Sequence, residues 1–228
     1  MELIVANWKS HPATEEEAVL LARASDLEGL VICPPFNFLE AVRSVLAKAR
    51  LGAQDFREGM AVDYAIIGHS DRRREGETSE LVAEKMAKAV AAGIIPILCV
   101  GETKKQKDLN LKEKVITEEI KINLSLILNS QFKIPNLYIA YEPIWAISTS
   151  PGAEPDKPEN TIATIAIIKQ KLLEFGYNFP VKFLYGGSVT AKNAADFLQY
   201  PEIEGALVGA ASINTQAINE IYNITRRH

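Results

Sequence analysis

Glu142 ends the apolar run Leu137–Tyr141 and is followed at once by Pro143, so a carboxylate stands at the rim of an apolar strand. A carboxylate partly withdrawn from water is a better general base than a solvated one. Other polar groups follow apolar runs in the same way. Asn7 and Lys9 come after Leu3–Ala6, and His69, Ser70, Asp71, Arg72 and Arg73 come after Tyr64–Gly68. An imidazole exchanges protons near neutral pH, and an ammonium stabilises a developing oxyanion. Gly186, Gly187 and Ser188 follow Val181–Tyr185, and Gly209, Ala210, Ala211 and Ser212 follow Gly205–Val208. Glycines at such positions let backbone N–H groups approach an anion, with Ser188 expected to open the next helical turn. Taken singly, each group has a plainer reading. Glu142 suits a strand-end carboxylate paired with arginine, His69 a satisfied core histidine, Lys9 a solvated charge, and the glycines a turn that needs their φ freedom.

The elements that must position these groups alternate along the chain. Apolar, β-branched runs predict strands over Leu3–Trp8, Leu30–Cys33, Gly52–Gln54, Tyr64–Gly68, Ile94–Val100, Leu137–Glu142, Val181–Tyr185 and Gly205–Val208. Helical period predicts helices over Thr14–Ser25, Asn37–Ala49, Thr78–Ala92, Leu109–Asn129, Pro158–Phe175, Ala191–Leu198 and Thr215–Arg226. Thr14 followed by three glutamates reads as a capping box, and Pro158 suits a first helical turn. Alternation of this kind implies parallel pairing with right-handed crossovers, and continuously apolar strands imply that both sheet faces are covered. The fold expected is α/β, a single (β/α)8 barrel domain over residues 1–228, with a doubly wound open sheet as the alternative. In a barrel, function sits at the carboxyl ends of the strands, where the polar clusters fall. The third crossover, Asp55–Asp63, is too short for a helix and predicts a tight loop. The segment Pro143–Pro155 is long for a strand-to-helix loop and is a candidate lid.

Bulk properties narrow the classes. The chain has 228 residues, 47% hydrophobic and 24% charged, with a net charge of −4. That composition excludes dominant disorder, and no basic stretch suggests nucleic-acid binding. The apolar stretch Ala89–Val100 is broken by Gly93 and Pro96, and the first residues lack the pattern of a signal peptide. Cys33 and Cys99 make neither a metal cluster nor a disulfide framework, so a cytoplasmic protein is expected.

Together the segments VANWK (Val5–Lys9), IIGHSDRR (Ile66–Arg73), LCVGET (Leu98–Thr103), AYEPIWAIST (Ala140–Thr149), LYGGSV (Leu184–Val189) and ALVGAASI (Ala206–Ile213) resemble the triosephosphate isomerase family from the first strand to the last helix. The resemblance implies interconversion of dihydroxyacetone phosphate and D-glyceraldehyde 3-phosphate through an enediol(ate), without metal or organic cofactor. It implies Glu142 as general base and His69 as the neutral imidazole that polarises the carbonyl. Lys9 would stabilise negative charge, Asn7 would fix the substrate oxygen, and Asp71 would interact with Lys9. Backbone groups at Ser148, Ser188, Gly209 and Ala210 would hold the phosphate, under a cap of Ile147 and Leu207. Rival readings are a phosphosugar isomerase of drifted specificity and a weakly catalytic phosphate-binding barrel.

Four positions depart from the family pattern. Asp71 stands where a glutamate is usual, which shortens the reach to Lys9. The lid reads Ala146–Pro151 as AISTSP, with two glycines lost and a proline gained, which predicts a stiffer hinge with fewer φ > 0 options. Ala210 replaces the second glycine of the phosphate loop. The short Asp55–Asp63 crossover lacks the protruding loop that interlocks the family's homodimer, so a monomer or an altered dimer is expected.

Overall fold

The computed structural model describes residues 2–128 and 136–226. Eight parallel strands close on themselves in sequence order: β1 (Leu3–Asn7), β2 (Leu30–Cys33), β3 (Arg50–Ala53), β4 (Tyr64–Ile67), β5 (Ile95–Val100), β6 (Leu137–Tyr141), β7 (Val181–Tyr185) and β8 (Gly205–Val208). Closure runs through β1 and β8, where Leu3 lies opposite Gly205 and Ala6 opposite Val208. The helices are α1 (Glu15–Ala24), α2 (Leu39–Arg43), α3 (Ser70–Arg74), α4 (Ser79–Ala91), α5 (Lys104–Asp108), α6 (Lys112–Asn123), α7 (Ser125–Leu128), α8 (Pro158–Glu174), α9 (Ala194–Leu198) and α10 (Thr215–Ile224). The architecture is a (β/α)8 barrel. No helix among the described residues is long and apolar enough to cross a membrane.

Alternation along each strand divides the core into two layers. Val5, Val31, Cys33, Ile66, Ile97, Cys99, Ala140, Leu184 and Leu207 fill the barrel interior. Their neighbours Ile4, Ala6, Leu30, Ile32, Ile67, Leu98 and Ile139 face the helices. Interior space is tight beside β3, where a Cβ on Gly52 would stand 2.5 Å from Cys33 Sγ and 2.8 Å from Val31 Cγ1. Glycine is the residue that fits there.

Several expected boundaries hold, and the differences have local causes. The Thr14 capping box forms with Glu17, and Pro158 opens α8. The helix expected to reach Ala49 stops at Arg43 because the Asp26 carboxylate accepts the N–H groups of Ala47, Lys48 and Ala49 at 2.9, 2.9 and 2.7 Å. That capture turns the chain into β3 at Arg50, two residues before the expected start. The long helix expected over Leu109–Asn129 is instead α6 and α7, preceded by a separate α5 capped by Thr103 and Gln106. Asn110, at φ +55, breaks α5 from α6. Asn129 lies outside the described residues. The helix expected from Ala191 starts at Ala194, and α3 was not foreseen at all.

The third crossover contains no helix. Phe56 packs into the core, and Asp55 accepts from Lys85 Nζ on α4 at 2.7 Å through both oxygens. Lys85 also contacts Glu77, so this short loop is pinned to the barrel wall.

Candidate active site

β6 delivers Glu142 to the barrel mouth almost fully buried, at 3% exposure. Its Oε2 accepts the Ser70 N–H at 2.9 Å, and its Oε1 accepts the Ser70 hydroxyl at 3.2 Å. His69 Nε2 stands 2.9 Å from the same Oε1. Residues from β4 and β6, 72 positions apart in sequence, are thereby joined around one carboxylate.

His69 caps α3 through its side chain, with Nδ1 accepting the Asp71 N–H at 3.1 Å. A ring nitrogen that accepts carries no proton, so this contact fits the neutral imidazole with its proton on Nε2, donated to Glu142. Burial is the largest influence on the ring and lowers its pKa; Glu142 then raises it by charge and hydrogen bond, Lys9 lowers it and Asp71 raises it. The resulting direction is upward, which would favour the charged ring. That pull depends on Glu142 resting against Nε2. Burial and Lys9 act against the charged ring, as does the Asp71 N–H, which Nδ1 accepts only without a proton.

Lys9 occupies the left-handed region at φ +53, an uncommon conformation for a non-glycine residue. Two contacts hold it there. Its N–H donates to Asn7 Oδ1 at 3.1 Å, and Gln54 Nε2 donates to its carbonyl at 2.7 Å while also reaching the Cys33 carbonyl at 3.0 Å. The ammonium lies 2.9 Å from Asp71 Oδ2, so the shorter acid does reach. Burial, the largest influence on Asp71, raises its pKa, but Lys9, His69 and Arg74 outweigh it and keep the carboxyl below the usual range.

A cavity of about 110 Å³ brings together Asn7, Lys9, His69, Glu142, Ile147, Ser148, Ser188, Leu207, Gly209 and Ala210. Asp71 lies outside this lining and joins it through Lys9. The anion cradle differs from expectation. Ser188 does not open a helix, because the next one begins at Ala194. Its N–H and hydroxyl both donate to the Ala146 carbonyl of the lid, at 3.3 and 2.8 Å. The Gly186 N–H is taken by the Tyr141 carbonyl at 2.8 Å. Gly187 is required by close approach, since a Cβ there would stand 2.3 Å from the Tyr185 hydroxyl. Gly209 leads into a 3-10 turn over Ala210–Ile213, which presents N–H groups at its start.

The lid keeps one left-handed residue, Gly152 at φ +66, so proline at 151 has not removed every φ > 0 option. A 3-10 turn over Ile144–Ala146 opens this segment, and there Trp145 Nε1 donates to the buried Glu102 at 2.8 Å. At the other end the Glu154 N–H donates to the Trp145 carbonyl at 3.0 Å.

Gln54, Ser70, Glu102 and Arg73 received no role from sequence reasoning. Gln54 and Ser70 stand just beyond strand ends, the same signal that singled out Lys9 and His69. Arg73 Nε donates to the Gly68 carbonyl at 3.0 Å, and its guanidinium lies 3.7 Å from Glu119 on α6, which accepts the Gly101 N–H at 2.9 Å.

A family model described as triosephosphate isomerase matches residues 57–225. A triosephosphate isomerase from Shewanella loihica (strain ATCC BAA-1088 / PV-4) is 36% identical over an alignment of 248 positions that covers 93% of each chain. One from Shewanella denitrificans (strain OS217 / ATCC BAA-1090 / DSM 15013) is 37% identical over the same span. With an eight-stranded parallel barrel carrying the family's motifs at its carboxyl rim, the chain belongs to the triosephosphate isomerase family.

Proposed function

We propose that this protein interconverts dihydroxyacetone phosphate and D-glyceraldehyde 3-phosphate by moving one proton between neighbouring carbons. The observation that carries the reading is the buried pairing of Glu142 with His69 Nε2 at 2.9 Å, inside a cavity that also holds Lys9. In the resting arrangement Glu142 is held by Ser70 and His69. Substrate entry requires the carboxylate to turn from Ser70 toward the carbon that bears the proton. Glu142 takes that proton while His69 donates its Nε2 hydrogen bond to the carbonyl oxygen, giving an enediol(ate). Glu142 then returns the proton to the adjacent carbon, and His69 moves the hydroxyl protons. Lys9, oriented by Asp71, stabilises the negative charge, and Asn7 holds the substrate oxygen.

The phosphate is held by the N–H groups of Gly209 and Ala210, by Ser148, and by Ser188 after it releases Ala146. Ile147 and Leu207 cover the site and exclude water, which protects the intermediate from losing phosphate. The third crossover is a short loop pinned to the barrel wall through Lys85, which supports a protein that works without an interlocking partner subunit. The cytoplasm is the compartment proposed for it, on its likeness to the family. A coupled assay for glyceraldehyde 3-phosphate conversion across protein concentration tests both parts. Turnover that is constant per chain on dilution, with a monomer in sedimentation, is expected; absent turnover overturns the activity, and turnover lost on dilution overturns the monomer.

A further inference from the structure

A second cavity, about 500 Å³, adjoins the first, and Asn7, Lys9, His69 and Thr149 line both. The two spaces therefore meet at the reacting groups. The smaller falls below the ~300–1,000 Å³ typical of small-molecule sites, and the larger falls within it. One wall of the larger groove is Pro34–Phe36 with Leu39, another is Gln54 with Asp55 and Arg57 of the short crossover, and a third is α3.

Charge in this groove is unevenly matched. Asp71 is held between Lys9 at 2.9 Å and Arg74 at 3.2 Å, and Glu75 is held by Arg72 at 2.8 Å. Asp55 is turned to Lys85. Arg57 has no carboxylate partner among the described residues. Its guanidinium instead lies over the ring of Phe36, 4.2 Å from the centroid, and Phe36 is 52% exposed. A guanidinium stacked on an aromatic face is pre-organised, and its N–H fork matches a phosphate.

We propose that this groove is a second anion subsite, which takes the distal phosphate of an open-chain sugar bisphosphate whose first phosphate and carbonyl occupy the reaction site. The inference rests on the proposed function for the position of that first phosphate. A ligand of this kind spans from Gly209 and Ala210, past Lys9, to Arg57, and it competes with the triose substrate.

Ribulose 1,5-bisphosphate and 5-deoxyribulose 1-phosphate are suitable probes: both keep the phosphate on carbon one, and neither can close to a furanose, because carbon five bears a phosphate in one and no hydroxyl in the other. Their inhibition of triose isomerisation is compared with that of phosphoglycolate, and direct binding is read by calorimetry. The bisphosphate is expected to bind about ten-fold more tightly than the monophosphate, as for one added charge-assisted phosphate contact. Arg57→Gln should erase that gap while leaving triose turnover and phosphoglycolate inhibition unchanged. Equal affinities, or a gap that survives Arg57→Gln, overturns the subsite. A groove covered by a second copy in sedimentation, with no bisphosphate preference, overturns it as well. Failure of the proposed function is separable, since it shows as absent triose turnover in the parent protein, whatever Arg57 does.

Discussion

The backbone of Gly101, at the end of β5, lies directly against the carbonyl of Glu142. A Cβ on Gly101 would stand 2.0 Å from the Glu142 oxygen and 2.6 Å from its carbonyl carbon. The neighbouring strand end can come this close only because position 101 has no side chain. The same glycine donates its N–H to Glu119 at 2.9 Å, so it is held from both sides. Gly101→Ala must therefore push β5 and β6 apart at the level of the carboxylate. Overpacking of this kind costs about 1–3 kcal/mol. Turnover is expected to fall by about a hundred-fold, since a displacement of the base of about 1 Å is enough for that. Thermal unfolding and coupled kinetics check the two effects; unchanged turnover would show that the base does not depend on this contact.

Glu142→Asp keeps the charge and withdraws it by one methylene from Ser70, His69 and the substrate carbon. The expected result is a kcat lower by about a hundred-fold or more with phosphoglycolate affinity changed by less than a few-fold, because the phosphate donors lie elsewhere in the cavity. A near-normal kcat would remove Glu142 from the role of base.

Asp71 raises a different question, because a glutamate is usual at this place and the shorter acid still reaches Lys9 at 2.9 Å. Local geometry has already compensated: Asp71 sits in the first turn of α3, and its own N–H fixes His69. Asp71→Glu is accordingly expected to leave kcat/KM within about two-fold. Asp71→Ala frees the ammonium of Lys9 and should lower kcat/KM by about ten-fold, a typical effect of losing a charged hydrogen bond of about 1.5 kcal/mol. A marked gain from Asp71→Glu would mean that reach, not orientation, limits this site.

Strand positions were legible where burial on both faces leaves a continuous apolar run bounded by turn residues. Leu30–Cys33 and Gly205–Val208 are of that kind, and their bounds agree with the structure; so do those of Val181–Tyr185, despite Lys182 within it. The chemistry-bearing groups were legible for the related reason that polar residues directly after such runs must lie at one rim. Helix ends were less so. Nothing in the helical period of Asn37–Ala49 announces that Asp26, more than twenty residues earlier, will capture the N–H groups that end it. Gln54 escaped notice because its work is done on the carbonyls of Lys9 and Cys33, which only barrel closure brings together. The donors of Ser188 could not be foreseen as engaged by Ala146, since that contact depends on where the lid rests.

Glu119 supplies a pH dependence of its own, apart from that of His69 and Asp71. Burial raises its carboxyl from an ordinary 4.5 to about 7, against Arg73 and the Gly101 N–H, which lower it; Glu102 and Glu142 add to the rise. Between pH 4.5 and 7 the folded chain therefore holds a proton at this position that the unfolded chain has released. Folding stability attributable to Glu119 must fall as pH rises through that window, opposite to an ion-paired surface carboxylate. The order of magnitude is about 3 kcal/mol, from roughly 1.4 kcal/mol per pH unit. Glu119→Gln keeps an oxygen for the Gly101 N–H and cannot ionise. The difference between its unfolding midpoint and the parent's is expected to widen across this window, the variant gaining relative to the parent toward pH 8. Parallel curves for the two proteins, measured in one denaturant series from pH 4.5 to 8, would place the titration of Glu119 outside that range.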